Sequence, residues 1–355
     1  MTPPALLIAE LTHRCPLQCA YCSNPLELYR RDQELPKEAW LRTINEAAEL
    51  GIHHVSFTGG EPLLYPGLDQ LIQLASSRGL YTNLITSGVG LTENRLMDLA
   101  NFGLDHIQLS LQDIDMDSAK EISGKDVLAQ KIKVAKWISA RNFGFTINIV
   151  VHRKNLSRLE EMISWAQAVG ADKVEIAHVQ YLGWALKNRS HLLPTKEQVR
   201  EATVTIAKAK KQFEGQIKID HVLPDYFGDF PKACLGGWGT KLILVNPAGL
   251  ILPCHSAQVL PGAEFPSLQS HSLAAAWTDS KVFQMFRGQD WMKEPCLSCD
   301  RKAKDFGGCR CQAYLLTGDA RAADPVCKKS EAHSQIVKAQ EGLEPSARLE
   351  HRFRV

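Results

Sequence analysis

A chain of 355 residues, 45% hydrophobic and 23% charged, has room for one large domain and a smaller one and the make-up of an ordinary globular protein. Its formal charge of +2 is too small to argue for nucleic acid or an anionic membrane surface. No apolar run approaches the roughly 18 residues of a membrane span and the N-terminus lacks a signal peptide's basic region, so ten cysteines predict metal in a cytoplasmic protein instead of disulfides.

Strand-like and helix-like runs alternate from residue 6 to about 221. Strands are expected at 6–11, 53–57, 80–86, 104–111, 143–151, 172–179 and 216–221, with helices at 36–50, 67–78, 92–102, 126–141, 156–168 and 195–214. Trp40, Ile44, Ala47 and Ala48 give the first helix one apolar face. Ser157 with Glu160, and Thr195 with Gln198, fit capping boxes. Glycines 51, 79, 103, 170 and 215 stand just past helical runs, where a left-handed residue is wanted. Alternating units imply a parallel sheet with right-handed crossovers. Six units fall short of a closed eight-fold barrel and predict a partial (β/α)6 TIM-like barrel over residues 1–222.

Barrels of this kind gather their chemistry at the C-terminal ends of the strands. The first strand runs into Cys15-Pro-Leu-Gln-Cys19-Ala-Tyr-Cys22. Three thiolates are one ligand short of a closed zinc site or an ordinary four-cysteine cluster. A [4Fe–4S] cluster held by them would keep one iron open. After the second strand comes Thr58-Gly59-Gly60-Glu61-Pro62, where glycines let backbone approach a ligand closely and Glu61 offers an acceptor for an ammonium group. Ser87 after the third strand, Ser110 on the fourth and Asn148 on the fifth are further candidates at the same mouth. The aromatic-rich residues 180–185 either line a substrate groove or cover the end of the barrel. His13, His152, His178 and His191 have no metal spacing among themselves.

Residues 222–232 mix proline, glycine and aromatics like a linker, and the other seven cysteines lie beyond. Residues 241–245 and 250–254 flank Asn246-Pro-Ala-Gly249 as a β-hairpin, with Cys234 ahead of it and Cys254 at its end. Cys296-x2-Cys299, Cys309-x-Cys311 and Cys327 follow; the first pair alone would also suit a zinc knuckle. This second unit is placed at 223–330. The tail over 331–355 is polar, with a helix expected early and a mobile end over 346–355.

The cysteine triad, with aromatic Tyr21 just before its last member, resembles the hallmark of the radical SAM superfamily. The resemblance implies that the open iron chelates S-adenosylmethionine and that Tyr21, Gly59, Gly60, Glu61, Ser87, Ser110 and Asn148 attend that cofactor. The GGE run would hold its methionine amino group. The later cysteines, with Gly249-x4-Cys254, resemble a SPASM extension, which implies two auxiliary iron–sulfur clusters. One, a [4Fe–4S], would be held by Cys296, Cys299, Asp305 and Cys327, with Asp305 standing where the pattern has cysteine. The other, [2Fe–2S] or [4Fe–4S], would be held by Cys234, Cys254, Cys309 and Cys311.

Residues 10–25 and 180–189 are similar to the peptide-cyclising family of pyrroloquinoline quinone biosynthesis, with Ala20 a departure where proline is expected. That likeness implies a bond between a glutamate γ-carbon and a tyrosine ring carbon of the PqqA precursor peptide, and an electron donor such as flavodoxin or ferredoxin. Only fourteen residues precede Cys15 and the tail is short, so a separate PqqD-type peptide chaperone is expected. Another SPASM peptide maturase, forming a thioether, is the alternative enzyme. A non-catalytic iron–sulfur carrier is the alternative class, against which the GGEP run and the barrel argue.

Overall fold

The run Leu6–Thr12 forms β1, buried from Leu7 onward, as befits a parallel strand covered on both faces. A computed structural model describes residues 2–222, 225–341 and 348–355. After β1 come α1 (Lys37–Glu49), β2 (His54–Gly59), α2 (Leu68–Ser77), β3 (Tyr81–Thr86), α3 (Glu93–Asn101) and β4 (His106–Leu111). Then follow α4 (Met116–Ser123), α5 (Leu128–Ser139), β5 (Gly144–Val151), α6 (Leu159–Ala168), β6 (Lys173–His178), α7 (Gly183–Lys187), α8 (Arg189–Leu192), α9 (Lys196–Gln212) and β7 (Lys218–Val222). The strands β1 to β7 pair in parallel in chain order, which is the expected partial (β/α)6 barrel.

The helices pack their apolar stripes on this sheet. In α1, Ala39, Trp40, Thr43, Ile44 and Ala47 are buried; a side chain such as Ile44 contributes about 2 kcal/mol by leaving water. Glycines 51, 79, 103, 170 and 215 all adopt positive φ, as their places past helix ends require. Thr195 and Gln198 form the expected capping box at the start of α9. The box expected at Ser157 is absent. Leu156–Arg158 is a 3-10 turn and α6 begins only at Leu159. Asn155 organises that turn instead: its Oδ1 accepts from His152 N at 2.8 Å, and its Nδ2 donates to Gln112 O at 2.9 Å.

The sheet does not stop at the barrel. β8 (Leu242–Val245) pairs in parallel with β1, Leu6 opposite Leu242, and β9 (Ile251–Leu252) turns back antiparallel as the expected hairpin. The cysteine-rich part therefore grows from the barrel's own first strand. Its helices are short: α10 (Leu273–Asp279), α11 (Lys281–Gln284), α12 (Lys302–Asp305), α13 (Arg310–Thr317) and α14 (His333–Gln340). Residues 223–224, where the linker and the domain boundary are expected, lie outside the described residues.

The tail corrects the sequence reading. Residues 346–347 lie outside the described residues, but 348–355 are seated on the barrel. Asn188 brackets Glu350 by donating to its carbonyl at 2.7 Å and accepting from its N–H at 2.7 Å. Phe353 packs edge-on to Trp184 with ring centroids 4.8 Å apart, and Gln18 Nε2 donates to Arg352 O at 3.0 Å. Polar composition suggested solvent, yet these polar groups are spent on hydrogen bonds to α7, α8 and the cysteine loop.

Candidate active site

The loop after β1 is held by its own polar residues. His13 is fully buried, stacks on Tyr29 with centroids 5.3 Å apart, and its Nδ1 accepts from Tyr29 N at 3.0 Å. Glu10 lies 3.6 Å from His13 and 3.8 Å from His255, and Asn24 Nδ2 donates to it at 3.1 Å. Burial alone would raise the Glu10 pKa, but hydrogen bonds and charge from His13 and His255 hold it down at about 2. Further along, Gln18 N donates to Ser123 O at 2.8 Å and Ala20 N to Ile122 O at 3.0 Å, both acceptors at the end of α4. The departure at Ala20 thus has a use, since proline has no N–H to make that bond. The helix supplying these carbonyls was unassigned in the sequence, although Asp115 caps it and Gly124 ends it.

So held, Cys15, Cys19 and Cys22 line one cavity of about 420 Å³ at the C-terminal ends of the strands. Tyr21, Gly59, Gly60, Ser87, Ser110 and Asn148 share its wall. Burial pushes the Cys15 thiol up to about 11 and raises Cys19 and Cys22 as well, so metal binding here would release protons. Tyr21 receives a hydrogen bond from Gln112 at 3.1 Å. Ser110 Oγ donates to Thr86 O at 3.0 Å.

The two glycines have a reason the sequence did not state. A Cβ on Gly59 would stand 2.2 Å from Thr12 O, and one on Gly60 2.3 Å from Arg14 O. Gly60 N and Glu61 N donate to those same carbonyls. The GG pair lets the β2 end press against the cysteine loop, besides facing the cavity. Glu61 is set back from the two glycines. It is fully buried and absent from the cavity wall. Its carboxylate accepts from Thr86 Oγ1 at 2.7 Å, Leu63 N at 3.3 Å, Ser87 N at 2.8 Å and Ser87 Oγ. Those four donors fill its lone-pair directions; burial outweighs them and its pKa is raised. Glu61 is a brace between the β2 and β3 ends.

Three residues at this mouth were missed or set aside. Lys131 is buried, and its Nζ donates to Ser110 O at 2.7 Å. Burial pulls its pKa down to about 8, against Cys19, Glu61 and Cys15, which pull it up. A lysine on the apolar stripe of α5, between Leu128 and Val134, was the signal. Arg352, also buried, reaches the cavity from the seated tail and gives no such signal. His178 lines the cavity with both ring nitrogens buried and unpartnered among the described residues; burial, then His221, lowers its pKa to about 3. His152 and His191 stand elsewhere, His152 tilted against Tyr21 at 5.8 Å.

The later cysteines sort into two groups. Cys296, Cys299, Asp305 and Cys327 line one small cavity. Cys234, Cys254 and Cys309 line another of about 300 Å³, and the buried Cys311 thiol hydrogen-bonds Cys254 and Cys309. Asp324, unremarked in the sequence, lines both and accepts from Cys309 N at 2.8 Å and Gln312 Nε2 at 2.9 Å. Among the described residues no three His, Cys, Asp or Glu side chains converge as a single ion requires. The stretch 180–185 is divided between the interior and a groove. Trp184 and Ala185 are buried under the mouth, while Leu182 and Gly183 line a groove of about 660 Å³ with residues 23–29, His255, Ser256 and Leu315.

Comparison with known proteins agrees with this geometry. The model of the radical SAM superfamily matches residues 9–166. The PqqA peptide cyclase of Methylocella silvestris is 51% identical over 334 residues, covering 94% of this chain and 90% of that protein. The PqqA peptide cyclase of Gluconobacter oxydans is 48% identical over 353 residues, covering 99% and 98%. Among solved structures, Streptococcus suis SuiB bound to S-adenosylmethionine superposes with a TM-score of 0.77 at 20% identity, covering 92% of this chain and 78% of that one. Native anSMEcpe with bound AdoMet follows at 0.68 and 15%, covering 95% and 97%. At those identities the structures speak for the fold alone. The sequence relatives, near half identical over almost the whole length, go further: this chain is a radical SAM enzyme of the PqqA peptide cyclase family.

Proposed function

We propose that this enzyme crosslinks a PqqA-type precursor peptide in pyrroloquinoline quinone biosynthesis, joining a glutamate γ-carbon to a tyrosine ring carbon. The observation that carries the reading is the convergence of Cys15, Cys19 and Cys22 with the glycine pair and the strand-end hydroxyls on one cavity. Its donor set fits a three-thiolate cluster: three half-buried thiols on one loop, with no fourth cysteine among the described residues of the cavity wall. A [4Fe–4S] cluster with S-adenosylmethionine supplies, when bound, a 5′-deoxyadenosyl radical able to take hydrogen from an unactivated carbon. The chain's residues bind and orient. Ser87, Ser110 and Asn148 would meet the cofactor's polar groups, and Glu61 and Lys131 fix the strand ends on which Ser87 and Ser110 stand.

The mouth cavity shares Ser23 and Asn24 with the larger groove, and that groove shares Leu182, His255 and Ser256 with the cavity beside Cys254. This continuity supports a peptide lying from the mouth toward the cysteine-rich part. We assign that part, 223–330, as a SPASM extension with two auxiliary clusters, on Cys296, Cys299, Asp305 and Cys327 and on Cys234, Cys254, Cys309 and Cys311. They would accept the electron released when the ring regains aromaticity. A PqqD-type chaperone and a flavodoxin- or ferredoxin-type donor complete the proposal, in the cytoplasm. Among the described residues no helix is long and apolar enough to cross a membrane.

Anaerobic reconstitution with iron and sulfide, then reductant, S-adenosylmethionine and PqqA, tests the reading by mass spectrometry. A peptide lighter by two hydrogens and carrying a Glu–Tyr link is expected. An unchanged PqqA alongside a modified cysteine peptide would assign the enzyme to thioether formation. Equal rates with and without the PqqD-type protein would remove that partner.

A further inference from the structure

Arg352 is the buried charge at the mouth that none of these roles uses. It comes from the seated tail, yet only 1% of it is exposed. Its Nη2 donates to His13 O and its Nη1 to Phe353 O at 3.0 Å. Its Nε–H is buried without a hydrogen-bond partner among the described residues. An unmet donor on a buried cation is costly unless something there accepts it. Two facts say what does. Arg352 lines the cavity of the three cysteines, and it is bonded to the loop that carries them, Gln18 Nε2 donating to its carbonyl and its own Nη2 donating to His13 O.

The strap that delivers it is held independently. Asn188 brackets Glu350, Phe353 packs on Trp184, and His351 Nε2 contacts Glu121 O at 2.7 Å. These anchors lie on α4, on α7 and at the junction of α7 with α8, so the guanidinium is positioned by packing and not by a cysteine. We infer that Arg352 is a positioning residue that stabilises the reduced form of the primary cluster, donating to a sulfur of that cluster and offsetting the negative charge the cluster gains with one electron. The inference rests on reading Cys15, Cys19 and Cys22 as that cluster's ligands. Its physical basis is that a cation beside a buried redox centre favours the more negative state, and that hydrogen bonds to ligand sulfur raise cluster potentials. Lys131, the other buried cation nearby, already donates to Ser110 O.

The test uses reconstituted full-length enzyme, poised with dithionite and mediators and followed by the paramagnetic resonance signal that changes shape on adding S-adenosylmethionine. In Arg352→Met the reduced-to-oxidised ratio of that signal at fixed potential should fall about tenfold, which is 59 mV for one electron. Arg352→Lys, which keeps a charge, should fall no more than about threefold, and signals insensitive to S-adenosylmethionine should not move. A ratio in Arg352→Met equal to wild type overturns the inference. An equally large fall in Arg352→Lys also overturns it, because seating of the strap, not charge, would then be the cause. Replacement of Cys15, Cys19 and Cys22 by alanine separates the levels: loss of the responsive signal keeps the ligand reading whatever Arg352 does, whereas its persistence overturns both.

Discussion

At the barrel mouth three cysteines sit on one loop, which strand ends, the end of α4 and the seated tail hold in place. In the cysteine-rich part seven cysteines and Asp305 are drawn from a hairpin, short helices and the loops between them, and no long strand frames them. The first site is built by backbone meeting backbone: Gly59 and Gly60 against Thr12 and Arg14. The second is built by side chains, chiefly Asp324 between the two cavities and Arg310, fully buried, whose guanidinium donates to the carbonyls of Gly307, Gly308, Ala320 and Ala322. A site set by strand geometry tolerates little change in its frame. A site set by side chains can exchange one donor for another, as Asp305 for cysteine would be.

The bluntest way to break the comparison is chemical. Replacing Cys15, Cys19 and Cys22 together with alanine should abolish 5′-deoxyadenosine formation while iron stays bound in the second region. Chromatographic detection of undiminished 5′-deoxyadenosine would refute the assignment of the triad. Next is a steric contrast between two glycines. Gly60→Ala must force a Cβ into Arg14 O, and should cost about 3 kcal/mol or more. Gly318→Ala, at φ 77° past α13 with open space around it, should cost only about 1 kcal/mol. Denaturant melts of both variants should differ by that margin; equal losses would deny that the mouth is the tighter frame.

Much of the mouth was legible because its chemistry is local in sequence. The triad, the GGEP turn and the strand-end serines each lie within a few residues of a strand that apolar runs already marked. Glu61 shows the limit: the motif was visible, but that its four lone pairs are filled by Thr86, Ser87 and Leu63 depends on how two strand ends meet. Arg352 was illegible because its partners lie more than three hundred residues away, and because a polar tail reads as solvated until Asn188 and Trp184 are seen to receive it. The second region was legible as cysteine spacing, not as fold. That β8 pairs with β1 is a tertiary fact no local pattern encodes.

The junction between the regions offers a pH test. Glu10 on β1 contacts His255, the neighbour of Cys254, and its pKa is depressed from 4.5 to about 2. A depressed carboxylate adds stability that is complete above its unfolded pKa and is lost as pH falls toward the folded value. The contribution should therefore be full above pH 4.5 and decline toward pH 2, amounting to about 3 kcal/mol from the shift. Glu10→Gln should flatten the acid limb of the stability curve between those pH values. An unaltered limb would mean that the two regions are not electrostatically joined there.

The smallest effect is expected at Asp305, where the exchangeable character of the second region is tested. Its side chain accepts from Gly307 N at 3.2 Å and from Arg301 Nε at 3.3 Å, bonds that a mere turn residue would also make. What points beyond a turn is that it lines the same cavity as Cys296, Cys299 and Cys327, with only 8% of its surface exposed. A carboxylate is a harder donor to iron than a thiolate, so a cluster that Asp305 completed would be more labile and differently poised than an all-thiolate one. Asp305→Ala should speed iron loss from that cluster about tenfold, about 1.4 kcal/mol in barrier, while leaving the S-adenosylmethionine-responsive signal intact. Asp305→Cys should retain the iron with a shifted potential. A turn residue makes the opposite forecast: both variants would lower the melting temperature slightly and leave iron release, monitored with a chelator, at the wild-type rate.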